Sequence, residues 1–159
     1  MMQSICSNAV AWELLDKGLS EQSFWWSHTK TGLDLKCRCD KINGDVIVDL
    51  KTTGEGGASP DAFQKTVTAF NYHLQAAHYL QGTGAQSFVF VVIEKVFPYN
   101  IGVYKLDDEF LDYGYELQEQ ALLKISEAVT SGKWIGYTES TPDGIQTLDK
   151  PYWLGNKYD

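Results

Sequence analysis

Arg38-Cys39-Asp40-Lys41-Ile42-Asn43-Gly44-Asp45-Val46-Ile47-Val48-Asp49-Leu50-Lys51-Thr52-Thr53 is the stretch on which the fold turns. Two strand-like runs flank Asn43-Gly44, and Asn-Gly is the strongest short-range signal for a hairpin with a two-residue type I′ turn. Pairing Ile42 with Asp45 across that turn sets Asp40 opposite Ile47 and Arg38 opposite Asp49. Strand side chains alternate between faces. Arg38, Asp40, Ile47, Asp49 and Lys51 are therefore expected on one face, and Cys37, Cys39, Val46, Val48 and Leu50 on the other. In that register Asp40 and Asp49 are diagonal neighbours, roughly 7–8 Å apart, and their carboxylates can converge on one cation. Lys51 follows Asp49 on the same face, roughly 6.5 Å along the strand.

Working outward, the 159 residues, 43% hydrophobic, suit a single domain with its own core, about 21–137, and an aromatic tail over 138–159. The most apolar run, Phe88 to Ile93, stops at Glu94-Lys95, far short of the ~20 residues of a membrane helix. No basic segment followed by an apolar signal core opens the chain. The expected location is the cytoplasm of a bacterium or a phage-infected host. Three cysteines lacking a C-x-x-C pair make neither a disulfide framework nor a zinc or iron–sulfur site, and are expected to be reduced packing residues. Thirteen basic against twenty-one acidic residues give a net charge of -8, which argues against nonspecific coating of nucleic acid. It does not exclude a nuclease, because carboxylates can be neutralised by divalent cations that also bridge to phosphate. Lys30, Lys36, Arg38, Lys41, Lys51 and Lys65 all fall in the first 65 residues, whereas Asp107 to Glu119 is acidic.

Along the chain, Asn8 to Lys17 is predicted as a short helix with Val10, Leu14 and Leu15 inward, stopped by Gly18. Glu21 to Trp26 reads as a strand, and Leu33–Ile42 and Asp45–Thr53 as the hairpin. A glycine-rich loop then runs into a helix with Ser59 as N-cap and Pro60 in its first turn. Phe63, Val67, Phe70, Leu74 and Ala77 recur at helical spacing from Asp61 to Gln81, one amphipathic helix for the sheet. Phe88–Phe97 is expected as a buried strand and Ile101–Leu106 as another. Asp107 opens a long helix ending at Ser131-Gly132. This order describes an α/β or α+β sandwich, a central mixed β-sheet flanked by helices.

Asp-x-Lys on a strand is weak evidence alone, since any solvated strand can carry it by chance; Asp40 on the preceding hairpin strand strengthens it. Magnesium held by one or two carboxylates lowers the pKa of a bound water and offsets charge on a phosphate, and a neighbouring lysine can orient or deprotonate that water. His73 and His78 do not share a helical face, being about 140° apart, and His28 sits in a polar turn with no visible role. Trp25 and Trp26 can stack on unpaired bases, though adjacent strand aromatics more often divide between core and surface.

Glu21-Gln22-Ser23-Phe24-Trp25-Trp26, Thr31-Gly32, Lys36 to Asp40, Val48 to Thr53, Tyr72 to Tyr79 and Gly132-Lys133-Trp134 together resemble the landmarks of the PDDEXK nuclease superfamily, and within it the exodeoxyribonuclease VIII-like branch of phage and prophage recombination exonucleases. The resemblance spans 21 to about 137. It implies a restriction-endonuclease-like core in which Asp40 and Asp49 bind Mg2+ or Mn2+, joined by the Leu50 carbonyl and by Glu21 directly or through water, while Lys51 acts on the attacking water. Gln75 and Tyr79, four apart on one helical face, are implied to point into the active site, toward a metal water or phosphate. Lys36, Arg38 and Lys65 are the expected DNA contacts. Implied with them are digestion of linear double-stranded DNA from its ends, 5′ to 3′, a ring-shaped homo-oligomer, and a single-strand annealing protein as functional partner. Cys39 stands where the superfamily's name expects proline, and no histidine precedes Glu21, where such exonucleases usually carry one on an upstream helix. An endonuclease or junction resolvase with the same metal centre, and a noncatalytic recombination or DNA-binding module, are the alternatives.

Overall fold

The computed structural model describes residues 1–137, 141–151 and 154. The chain separates into two compact units, Met1–Leu123 and Lys124–Asp159. In the first unit the order is α1 (Met2–Ser7), α2 (Ala9–Asp16), β1 (Leu19–Ser27), β2 (Asp34–Asn43), β3 (Val46–Thr53), α3 (Pro60–Ala69), α4 (Tyr72–Thr83), β4 (Ser87–Glu94) and β5 (Ile101–Lys105). Helix α5 (Asp108–Ser131) begins there and ends in the second unit. Among the described residues one mixed sheet forms, in the order β1-β2-β3-β4-β5, with β3 and β4 parallel and the other pairs antiparallel. The parallel pair needs a crossover, which α3 and α4 supply. The expected sandwich around a mixed sheet is what the chain builds.

One face of the sheet carries Cys37, Cys39, Ile47, Phe88, Phe90 and Val92, packed with Phe63 and Val67 of α3 and Ala76 and Leu80 of α4. The opposite face carries Val48 and Val91, covered by Ala11 with Leu14 and Leu15 of α2. Asn8 caps α2 by accepting the Ala11 N–H at 3.0 Å, which turns Ala11 inward and leaves Val10, expected in the core, exposed. Helix α1 was not predicted. In α5, Asp107 accepts the Phe110 N–H at 2.8 Å and starts the helix. Gly114 meets α4 so closely that a Cβ there would lie 2.3 Å from the His73 carbonyl oxygen.

Three sequence expectations are corrected. The hairpin turn is Gly44-Asp45, not Asn43-Gly44: Asn43 pairs with Val46, Ile42 with Ile47 and Lys41 with Val48. Gly44 has φ 58 while Asp45 stays out of the positive region, the pattern of a II′ turn, which wants glycine at its first central position. Second, Cys37 and Cys39 share the face of Ile47 rather than opposing it, so Arg38 and Lys36, which alternate with them, point away from that face. Third, the single helix over Asp61–Gln81 is two helices. Asn71 sits in the left-handed region at φ 54, and the break throws Phe70 out to 68% exposure instead of burying it.

In the second unit α5 ends at Gly132, whose φ of 68 suits the left-handed position after a helix. Trp134, Ile135 and Tyr137 beyond it are exposed, and Ile125 and Val129 within it are also largely exposed. Tyr152 and Trp153 of the aromatic tail lie outside the described residues.

Candidate active site

Strand β3 is the backbone of the site, and its pairing is uneven. β4 accompanies it along its full length, from Val46↔Ser87 to Thr53↔Glu94. β2 pairs with it only from Asn43↔Val46 to Lys41↔Val48. The next rung would set Asp40 against Asp49, and there the ladder stops. The β1–β2 ladder skips the same place: Ser20 pairs with Lys41 and Gln22 with Cys39, while Glu21, at φ 55, and Asp40 do not pair. Three carboxylate-bearing residues on three adjacent strands thus occupy one interrupted rung.

The Leu50 N–H, left without a β2 partner, donates to Asp40 Oδ2 at 2.9 Å. A strand residue's N–H and C=O point to the same edge, so the Leu50 carbonyl faces the same gap. Asp49 follows Ile47 onto the α4 face and is buried. Its Oδ1 accepts from Gln75 Nε2 at 2.7 Å, and its Oδ2 lies 2.8 Å from Lys51 Nζ. Lys51 Nζ also donates to Gln75 Oε1 at 3.1 Å and lies 4.2 Å from the centre of the Tyr72 ring. The orientation of the Gln75 amide is dictated by its neighbours, because a carboxylate needs a donor and an ammonium an acceptor. Burial pushes the Asp49 pKa up, and Lys51 and Gln75 act against that shift.

Tyr79 is half-buried, edge-on to Phe88 at 6.0 Å, beside Gln75 and the Arg38 backbone; burial raises its pKa, with Cys37 and Asp49 adding to the effect. Glu21 is ion-paired with Arg38 at 2.7 Å on the exposed side. Arg38 therefore does not share a face with Lys51, contrary to the register that an Asn43-Gly44 turn predicts. Lys36 is exposed on the same side of the sheet as Arg38, its carbonyl accepting from His78 Nε2 at 3.1 Å. Lys65 is exposed on α3, across the sheet from both. The structure brings together Asp40, Asp49, Leu50, Lys51, Gln75 and Tyr79, and does not gather the three basic residues. Trp25 is 73% exposed, while Trp26 turns inward and packs at a tilt against His78, ring centres 4.8 Å apart.

The donors at the gap are two carboxylates and a carbonyl, all hard oxygen ligands suited to magnesium or manganese. Asp49 Oδ2 is buried, and its near neighbour is the Lys51 ammonium at 2.8 Å. A carboxylate oxygen can accept more than one partner, so Asp49 Oδ2 keeps capacity beyond Lys51, and the hard oxygen donors here fit a divalent cation. Among the described residues no three His, Cys, Asp or Glu side chains cluster as a metal cage.

A model for a PDDEXK-like domain of unknown function, DUF3799, matches residues 1–142. The chain belongs to this PDDEXK-like family. No curated protein matches it. Among solved structures it is similar to a protein from Eubacterium rectale assigned as an exonuclease, with a TM-score of 0.66 and 20% identity over 94% of this chain and 60% of that one. It is also similar to an alkaline exonuclease from Laribacter hongkongensis, with a TM-score of 0.47 and 16% identity over 82% and 69% of the two chains. The chain thus spans 60% of the length of the Eubacterium rectale protein. The PDDEXK-like fold implied by the sequence resemblance is the one the family match shows.

Two roles escaped sequence reading. Tyr72 lies in a quoted landmark, but nothing in its spacing announces a ring beneath the lysine. His28, given no role, is buried, with Nδ1 2.9 Å from Thr31 Oγ1 and Nε2 2.7 Å from Glu119 Oε1. Lys30 bonds the other oxygen of Glu119 at 2.7 Å, and the two hold that carboxylate's pKa down, Lys30 foremost. Their partner lies 91 residues away in sequence, beyond any local pattern.

Proposed function

We propose that this chain is a divalent-metal-dependent deoxyribonuclease, using Mg2+ or Mn2+, that hydrolyses phosphodiester bonds of linear double-stranded DNA. The observation that carries the reading is the interrupted rung of the sheet, where Asp40, Asp49 and the Leu50 carbonyl face one gap beside Lys51. Membership in a PDDEXK-like family supports it. A bound cation would be held by Asp40, Asp49 and the Leu50 carbonyl, with Glu21 one strand further out through water, and would acidify a water and offset phosphate charge.

The chain's own residues do the rest. An ammonium has three N–H groups; Lys51 directs two toward Asp49 and Gln75, and the third can hold the attacking water or a phosphate oxygen. Gln75 fixes both Asp49 and Lys51, which limits their side-chain freedom before substrate arrives. Tyr79, beside Gln75, offers a hydroxyl to a phosphate oxygen. Water adds to phosphorus, one P–O ester bond breaks, and the leaving oxygen is protonated. The finer reading is a 5′ to 3′ exonuclease in phage-type recombination. It acts on DNA ends as a ring-shaped homo-oligomer, working with a single-strand annealing protein in the cytoplasm, and Lys36, Arg38 and Lys65 contact the DNA; this rests on the sequence resemblance. No helix among the described residues is long and apolar enough to cross a membrane.

The test is incubation with Mg2+ and linear or closed circular duplex, strands labelled at either end, with Asp49→Ala as control. Loss of linear DNA alone, from one labelled end and abolished by the substitution, is expected. Cutting of closed circles would replace the exonuclease by an endonuclease or resolvase. Persistence of all DNA with either metal would leave a noncatalytic binding module.

A further inference from the structure

From Lys51 an aromatic path leads out of the site. The Lys51 ammonium sits 4.2 Å from the Tyr72 ring centre. Tyr72 is wedged against Phe63 at 6.4 Å and Phe90 at 6.0 Å, so its ring is fixed from behind. Phe70 stacks on Tyr72 at 5.8 Å with planes 23° apart. Its ring centre is no further from the ammonium than those two steps laid end to end. Phe70 is nevertheless 68% exposed.

The backbone supports the view that this placement is built. The apolar spacing would have carried Phe70 inward on a continuous helix, and the chain instead breaks at Asn71, a non-glycine residue with φ 54. Such residues are uncommon outside asparagine and aspartate and carry a conformational cost. The Asn71 side chain makes no capping bond to α4, so capping does not account for it. The result is an apolar ring stacked on a second ring and presented to solvent, with that second ring between it and Lys51.

We propose that Phe70 is a stacking platform for an unpaired nucleobase of the strand whose phosphate lies at Lys51. Every base has a π-face, so stacking on an aromatic ring holds single-stranded ends without regard to sequence. It also needs no positive charge, which suits a chain with a net charge of -8. This inference rests on the nuclease reading for the phosphate at Lys51. Tyr72 is the support that orients the platform, and Phe70 positions substrate without taking part in bond cleavage.

The test uses the full chain and a duplex carrying 2-aminopurine, whose fluorescence falls on stacking, as an unpaired terminal base. Binding is followed with Ca2+ and digestion with Mg2+, for wild type, Phe70→Ala, Phe70→Leu and Phe70→Trp. Expected are quenching on binding to wild type and Phe70→Trp, loss of quenching in Phe70→Ala and Phe70→Leu, and a KM raised about tenfold in those two with kcat little changed. The melting temperature of all four should agree, because the ring is exposed. Quenching by Phe70→Ala equal to wild type, or a Phe70→Leu variant behaving as wild type, would overturn the platform. Failure of the nuclease reading looks different: wild type and Asp49→Ala would then digest DNA equally or not at all, whatever the quenching shows.

Discussion

The two halves of β3 are built from one strand and behave as two materials. From Val46 to Val48 it is paired on both edges, and Ile47 and Val48 are fully buried on opposite faces. From Asp49 to Lys51 it keeps β4 but loses β2, and the vacated edge is met by a side chain, Asp40, at the Leu50 N–H. The first half is stabilised by apolar burial and ladder bonds. The second replaces ladder bonds by charge-assisted ones, and its buried carboxylate is disfavoured in the charged form. The difference teaches that opening one rung of a sheet suffices to turn a core strand into an edge that carries charged side chains, while the neighbouring strand holds the framework.

The largest effect expected is from Asp49→Asn, which should lower DNA hydrolysis by about a thousandfold or more, since it removes a charged ligand at the point where charge develops. Without metal it should not lower the melting temperature at neutral pH. The sign follows from the raised pKa. The native state holds the Asp49 proton more tightly than the unfolded chain does. Stability is therefore fully present below the ordinary carboxylate value and falls as pH rises from there through the raised one. Asparagine, neutral throughout, escapes that loss, so thermal melts in EDTA across pH should show the variant gaining on wild type as pH rises.

Ile47→Ala, two residues earlier on the same face, should do the reverse. Its cavity costs about 2–5 kcal/mol in a denaturant titration, while the fraction still folded keeps its specific activity. A smaller effect is expected from Gln75→Glu, which sets a second carboxylate against Asp49 Oδ1 in place of a donor. Its rate should fall about tenfold with little change in fold, and Gln75→Ala should also lose rate; both raise the Asp49 pKa further because both remove the amide N–H that opposes the upward shift, glutamate the more so because it adds a like charge. The smallest perturbation probes the sheet itself. Burial pushes the Cys39 thiol up to about 12 and raises Cys37 as well, while Cys6 is exposed. A thiol reagent at pH 8 should titrate Cys6 alone until denaturant is added; fast labelling of Cys39 in the native state would mean that β2 does not hold this face.

The sequence made the paired half legible and the open half only partly so. Apolar alternation and the Asx-Gly turn signal were enough to find the hairpin. Asp49 and Lys51 share a face simply because they are two apart, and Gln75 and Tyr79 share a helical face because they are four apart. The register slipped because Asn43-Gly44 and Gly44-Asp45 both suit a tight turn, and only the pairing of Ile42 with Ile47 on the core face decides between them. The interrupted rung has no local signature, since Glu21 and Asp40 are ordinary strand residues until β1, β2 and β3 lie side by side. Helical periodicity concealed the break at Asn71, where one left-handed residue outweighs a stripe that otherwise continues. The pairing of buried His28 with the partly exposed Glu119 depends on a tertiary contact that no window along the chain contains.

The most direct test is Mn2+ binding to the full chain, followed by the loss of the free-ion paramagnetic resonance signal, in wild type and in Asp49→Asn. Saturable binding by wild type, lost in a variant whose melting temperature is undiminished, is the predicted result. Equal binding by the two proteins, or none by wild type, would contradict a metal centre at the open rung of the sheet.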